Sequence, residues 1–193
     1  MKIKLTLLFL LFILSVNSQQ TEKYLFYSKK LKPVKSEKIT EKYKNGKIKS
    51  TYTLTTFNFK ENEYEFYSGK FIEYKKNGKK SYERTMDLFG SLLNSVTYLC
   101  CGMIIKSETI DLDTTAKSLE EFLFGRKSTP IITLEKEFYK NDNNELILWK
   151  KGILVNGKKS GIWEIYEDGK IKKKKKYKNR DKYKKIEKSL MLK

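Results

Sequence analysis

The chain has 193 residues, with 42 Lys and Arg against 23 Asp and Glu and no histidine, for a formal net charge of +19. A chain of this length allows one domain, or one domain with an insertion. The lack of histidine excludes Ser-His-Asp and Cys-His catalysis and histidine-ligated zinc.

Residues 1–18 read as a secretory signal. Lys2 and Lys4 supply the positive start, LTLLFLLFIL (5–14) is the apolar stretch, and Val16 and Ser18 suit cleavage before Gln19. Ten apolar residues are too few to span a bilayer core of about 30 Å as a helix. The expectation is an exported, periplasmic or extracellular protein. Its removal takes away two lysines and no acid, leaving +17.

From residue 19 to 85 the pattern predicts β-hairpins. YKNGK (43–47) and YKKNGK (74–79) carry Asn45-Gly46 and Asn77-Gly78. Asn-Gly suits a type I′ turn, which needs positive φ at both central residues. Between them KIKSTYTLTTFNF (47–59) is rich in β-formers.

Residues 86–135 differ in composition and read as an insertion. LFGSLLNSVTYLCCGMII (88–105) is uncharged, and its interrupting polar residues fit buried strands or a core helix better than a membrane span. Cys100 and Cys101 are adjacent, which places their Cα atoms about 3.8 Å apart and below the usual disulfide range. They read as small core residues, with a vicinal redox pair or soft-metal site as the alternative. DTTAKSLEEFLFGRKSTP (113–130) predicts one helix of about ten residues, capped by Asp113 or Thr114 and ended by Gly125. PIITLEKEFYK (130–140) returns to strand alternation.

Hairpins resume over 136–180. VNGKK (155–159) and EDGK (167–170) supply Asn156-Gly157 and Asp168-Gly169. SGKFIEYKKNGK (68–79) aligns with SGIWEIYEDGK (160–170), and the turn signals return at an interval of 23 residues, Gly46 to Gly69 and Gly157 to Arg180. GIWEIYE sets Ile162 and Glu164 on one face and Trp163, Ile165 and Glu167 on the other, which predicts a strand covered on both sides.

Gly157, Gly161, Trp163, Tyr166, Gly169 and Tyr177, and again Gly69, Phe71, Tyr74, Asn77 and Gly78, resemble the MORN-variant repeats of exported bacterial proteins and of a group labelled antitoxin-like. The match covers about residues 39–84 and 138–180. Departures are Glu65 where a glycine would precede Gly69, a shorter Tyr166-to-Gly169 interval, and Arg180 in the last glycine slot. The resemblance implies a stack of β-hairpins without a catalytic assignment.

The expected fold is therefore mainly β: an antiparallel MORN-like hairpin meander with a minor α element in a central insertion. Gly46, Gly69, Tyr74, Gly78, Gly157, Gly161, Trp163, Tyr166 and Gly169 define the repeat as architecture. The expected function is a non-enzymatic, exported module that binds a protein partner or a cell-envelope component and needs no cofactor or metal.

The chain ends in a basic segment, with a tail at 181–193. Residues 170–193 hold thirteen Lys or Arg against Asp181 and Glu187. One reading gives these lysines the task of blocking edge-to-edge pairing of the last strand. A second makes Lys172, Lys173, Lys174, Lys175, Lys176, Lys178, Lys182, Lys184 and Lys185, interleaved with Tyr177 and Tyr183, a site for nucleic acid, acidic glycan or anionic lipid. Only three arginines (Arg84, Arg126, Arg180) accompany 39 lysines, a ratio that AT-rich coding also produces. A third reading is a hydrolase using paired carboxylates: Glu61, Glu63 and Glu65, Asp111 and Asp113, or Glu120 and Glu121. Asp111-Leu112-Asp113 lacks the rest of a calcium loop.

Overall fold

The computed structural model describes residues 20–99, 102–124 and 129–180. The expected signal segment, Cys100, Cys101, Gly125 and the tail 181–193 with Lys182, Lys184 and Lys185 lie outside those residues.

Ten strands form one antiparallel sheet in strict sequence order, each paired with the strand before it. They are β1 (Lys35–Lys42), β2 (Ile48–Phe59), β3 (Asn62–Tyr74), β4 (Lys80–Met86), β5 (Leu92–Tyr98), β6 (Ile104–Leu112), β7 (Ile131–Lys140), β8 (Leu146–Val155), β9 (Lys158–Glu167) and β10 (Lys170–Tyr177). The described residues also form two short helices, α1 (Glu22–Ser28) and α2 (Leu119–Phe124). The hairpin meander expected from the turn signals is what the chain builds.

Two turn chemistries make the bends. Asn156 and Gly157 (φ 50° and 74°) and Asp168 and Gly169 (50° and 74°) both occupy the left-handed region, as a two-residue type I′ turn requires. Asn45-Gly46 and Asn77-Gly78 are a correction: only the glycines have positive φ, at 79° and 85°. There the loop is one residue longer. The Gly46 and Gly78 amides donate to the carbonyls of Tyr43 and Lys75, and Asn45 and Asn77 accept from the amides two residues on through Oδ1. That is a type I turn closed by a left-handed residue. Asp87–Ser91 uses the same device with Gly90, and Asn141–Glu145 with Asn144.

The segment 86–135 is not one insertion. β5 and β6 continue the ladder in register as the fifth and sixth strands. Only the 113–130 stretch departs from the sheet. Its described helix runs over Leu119–Phe124, and its cap is Ser118 in place of Asp113 or Thr114, with Oγ accepting from the Glu121 amide. Asp113 does a different job: its carboxylate accepts from the Thr21 hydroxyl and the Thr114 amide. Residues 19–85 also hold a helix that the hairpin pattern did not predict. Thr21 caps α1, and Tyr24 and Tyr27, three apart, turn inward.

The main core lies at one end of the sheet, where α1 and α2 meet. Tyr24, Tyr27, Leu112, Ala116 and Phe122 are buried together, with Phe89, Leu93, Leu119 and Ile131 packed against them. The Thr21 amide donates to the Leu112 carbonyl at 2.9 Å, fastening α1 to the end of β6.

The repeat is visible as a shared irregularity. In β3, Gly69–Phe71 oppose the single residue Tyr52, and in β9, Gly161–Trp163 oppose the single residue Gly152. Gly69 and Gly161 sit at φ 61° and 65°, which a side chain would strain. The bulge re-aims the aromatic that follows. Phe71 stacks on Tyr52, with centroids 5.8 Å apart, whereas Trp163 lies over the bare backbone of Gly152 and donates from Nε1 to the Ile153 carbonyl. Trp163 is buried but Ile162 is 59% exposed, so β9 is covered on one side only and not on both.

A Cβ on Gly152 would sit 2.3–2.4 Å from the Trp163 ring. Gly152→Ala should therefore unseat the indole and cost about 1–3 kcal/mol, typical of an overpacked site. Denaturant unfolding followed by tryptophan emission checks this, and an unchanged midpoint would mean that the ring is not held there.

Candidate functional site

A groove of about 1010 Å³ opens between the sheet and α2 at the helical end. Its walls come from separate elements: Phe66 and Tyr67 of β3, Arg84 and Met86 of β4, Phe89 of the following turn, and Phe122 of α2. Local chemistry aims these groups. Asp87 Oδ1 accepts from the amides of Phe89 and Ser91, and Gly90 takes φ 77°, so the DLFGS turn projects Phe89 over the sheet. Phe89 stacks on Phe57 with centroids 4.7 Å apart and meets Phe122 edge-on at 5.1 Å. Glu121, three residues after the Ser118 cap, reaches back to the Lys117 amide and steadies the first turn of α2.

Arg84 is the cation of the groove. Its guanidinium lies 4.4 Å from the Phe71 centroid, 5.7 Å from Tyr82 and 6.0 Å from Tyr67. Its Nε is buried without a hydrogen-bond partner, and no ion pair among the described residues involves it. The face of the group is occupied by rings while its donors are unspent. A guanidinium fixed this way is preorganised for a planar carboxylate, which accepts two parallel N–H groups.

The floor at the back is polar and largely buried. The Tyr24 hydroxyl donates to Asp87 Oδ2 at 2.5 Å and lies 2.8 Å from Ser91 Oγ, and Gln20 Nε2 donates to the same carboxylate oxygen. Burial raises the Asp87 carboxyl above its usual range, although donors from Tyr24, Ser91, Phe89 and Gln20 pull it back. Burial first, and then the Asp87 charge, push the Tyr24 phenol far above its ordinary value.

The paired acids chosen from the sequence do not converge on a site. Glu61, Glu63 and Glu65 are exposed, with Glu65 on the groove rim. Asp111 is half-buried on β6, Asp113 holds Thr21, and Glu120 pairs with Lys60 at 2.7 Å on the surface. A pair not singled out by the sequence, Glu135 and Glu137 on β7, has the same i, i+2 spacing. Glu137 is buried and held by Lys150 at 3.3 Å and Lys159 at 3.2 Å, and Lys159 lies 3.8 Å from the Trp163 centroid. Burial, and then Glu137, raise the neighbouring Glu135 carboxyl. Neither acid lines the groove, so this cluster joins β7, β8 and β9 electrostatically. Among the described residues no group of three or more Cys, Asp or Glu is placed to hold a metal ion, and no helix is long and apolar enough to cross a membrane.

Lys172 to Lys176 are exposed on both sides of β10, which among the described residues is an edge strand paired with β9 alone. Lys172 pairs with Glu167 at 2.7 Å, Lys175 lies 5.2 Å from the Tyr177 centroid, and Lys178 follows the strand, exposed. The repeat aromatics are architectural here: Tyr166 donates to Glu164, and the Tyr74 carbonyl accepts from Tyr43. Arg180, in the last glycine slot, ties its amide to Ser160 Oγ. No family model, curated protein or solved structure matches the chain.

A phenol with a raised folded pKa favours the folded state below the ordinary tyrosine value of about 10 and loses that contribution as pH rises beyond it. Unfolding free energy should fall above pH 10, with Tyr24 contributing up to about 1.4 kcal/mol per pH unit. Tyr52, Tyr98 and Tyr166, also shifted upward, add to the fall in any variant that retains them. Denaturant titrations from pH 8 to 11 should show a shallower decline in Tyr24→Phe than in the parent; equal slopes would contradict the burial argument.

Proposed function

We propose that this chain is an exported, non-enzymatic binding module of the MORN-variant type, and that its groove takes a segment of a protein partner that presents an apolar or aromatic side chain beside a carboxylate. The observation that carries the reading is Arg84, stacked on aromatic rings at the groove with its donors unspent. The groove has the size and apolar character of ligand sites in general, with few polar groups to orient what enters. An excess of 19 positive charges favours acidic partners over basic ones. The two glycine bulges with a following aromatic support the repeat assignment, and the lysines of β10 serve the sheet by making its open edge a poor template for another strand.

The test uses N-acetyl-Trp-Asp-amide and N-acetyl-Trp-Asn-amide, titrated into the protein with amide shifts followed by NMR. The acidic peptide should perturb residues 84–92 and 119–124 and bind roughly tenfold more tightly than the amide, in line with a charge-assisted bond worth about 1.5–3 kcal/mol. Arg84→Met should erase that preference while Phe89 and Phe122 continue to respond. Equal binding of both peptides, or shifts confined to β10, would refute the proposal.

A further inference from the structure

The groove is not the only feature that the repeat architecture leaves unspent. Across the middle of the sheet, Lys106 of β6 stands directly opposite Lys136 of β7, and Lys136 directly opposite Lys151 of β8. The row continues through Glu164 of β9 to Lys174 of β10. Like charges placed directly across a strand pair destabilise it, so three in succession need a reason. The nearest acids on that face are Glu108, two residues from Lys106, and Glu164, opposite Lys151, and neither forms an ion pair with these lysines among the described residues. Glu83, on the same row, is engaged by Lys70, Lys80 and the Tyr98 hydroxyl, and Glu164 accepts from Tyr166. Among the described residues no ion pair involves Lys106, Lys136 or Lys151.

Beside these lysines lies a depression of about 410 Å³. Val96, Leu134 and Phe138 give it apolar lining, Lys106 and Lys136 flank it, and Asn94 and Glu108, paired directly across β5 and β6, give it neutral and acidic hydrogen-bonding groups. The geometry points to a binding site for an acidic polysaccharide, a chain of uronic-acid or sulfated sugars laid across the strands from β6 toward β10. The lysines recur at the strand spacing of about 4.8 Å, which suits one charge per ring better than duplex DNA with one charge per about 1.7 Å of axis. The apolar lining accepts the C–H face of a ring. Asn94 and Glu108 can bond sugar hydroxyls. Lysine supplies point charges rather than the planar fork that favours bidentate phosphate binding. This site does not depend on the Arg84 groove.

The experiment measures binding of the full chain to polygalacturonate, neutral dextran and a duplex DNA by calorimetry at low and moderate salt. Lys106→Gln with Lys136→Gln is compared with Lys173→Gln with Lys175→Gln, which removes the same charge from the edge strand. The proposal expects polygalacturonate to bind, weakening with salt, and dextran not to bind. The central pair of substitutions should reduce polygalacturonate affinity at least tenfold, and the edge pair less than about twofold. Because the central pair relieves repulsion, its unfolding midpoint should rise by about 1–3 °C, so lost binding cannot be ascribed to misfolding. Equal losses in both variants, duplex bound as tightly as polygalacturonate, no binding at low salt, or a lowered midpoint in the central variant would each overturn the proposal.

Discussion

Backbone pairing between each strand and its predecessor is the interaction on which the other features hang. Ten strands in sequence order make a ladder in which each strand pairs with its neighbours along the chain, and tight bends set the register of most new strands. Side-chain burial is a minor partner over much of the sheet. Several of the deepest positions are small hydroxyl residues, Ser50, Thr55, Ser68, Thr109, Thr133 and Ser160, and not large apolar ones. Thr55 bonds Ser68, Thr109 donates to the Leu92 carbonyl and Ser50 donates to the Glu41 carboxylate. A sheet held this way does not need a second layer along its whole length. The aromatic and helical packing is concentrated at one end, which is also where the groove forms.

The turn residues made most of this fold readable in advance, because left-handed backbone leaves few residue choices. Where reading failed, a specific competing effect won. Asn45 and Asn77 carry the right dipeptide, but one added residue in each loop puts only the glycine in the left-handed region. The uncharged run at 88–105 looked foreign among lysine-rich hairpins, yet it supplies the fifth strand and the start of the sixth in the same ladder. The helix α1 is seven residues long, too short for a periodicity argument, and is held by Thr21 and by contacts with residues far along the chain.

The groove was hardly legible at all. Its walls come from residues 24, 65–67, 84–92, 121–124, 129 and 131, which only the register brings together. One hint was present: Arg84 is one of three arginines in a chain that otherwise uses lysine. The acids show the reverse pattern. Spacing marks Glu63 with Glu65 and Glu135 with Glu137 identically, but burial separates them, since the first pair is solvated and Glu137 is enclosed by two lysines. Glu41 and Glu83 likewise collect several donors each, and those hydrogen bonds hold both carboxyls below their usual range.

The bond from Thr21 to Asp113 spans 92 positions of sequence, whereas tight bends join most successive strands. Hairpins can therefore close one after another, and Tyr24 can meet Asp87 and Ser91 once the β4–β5 turn has formed, but the start of α1 is not fastened until β6 and Asp113 are in place. The earliest described helix is then among the later pieces to find its place, and the aromatic groove stays unfinished until it does.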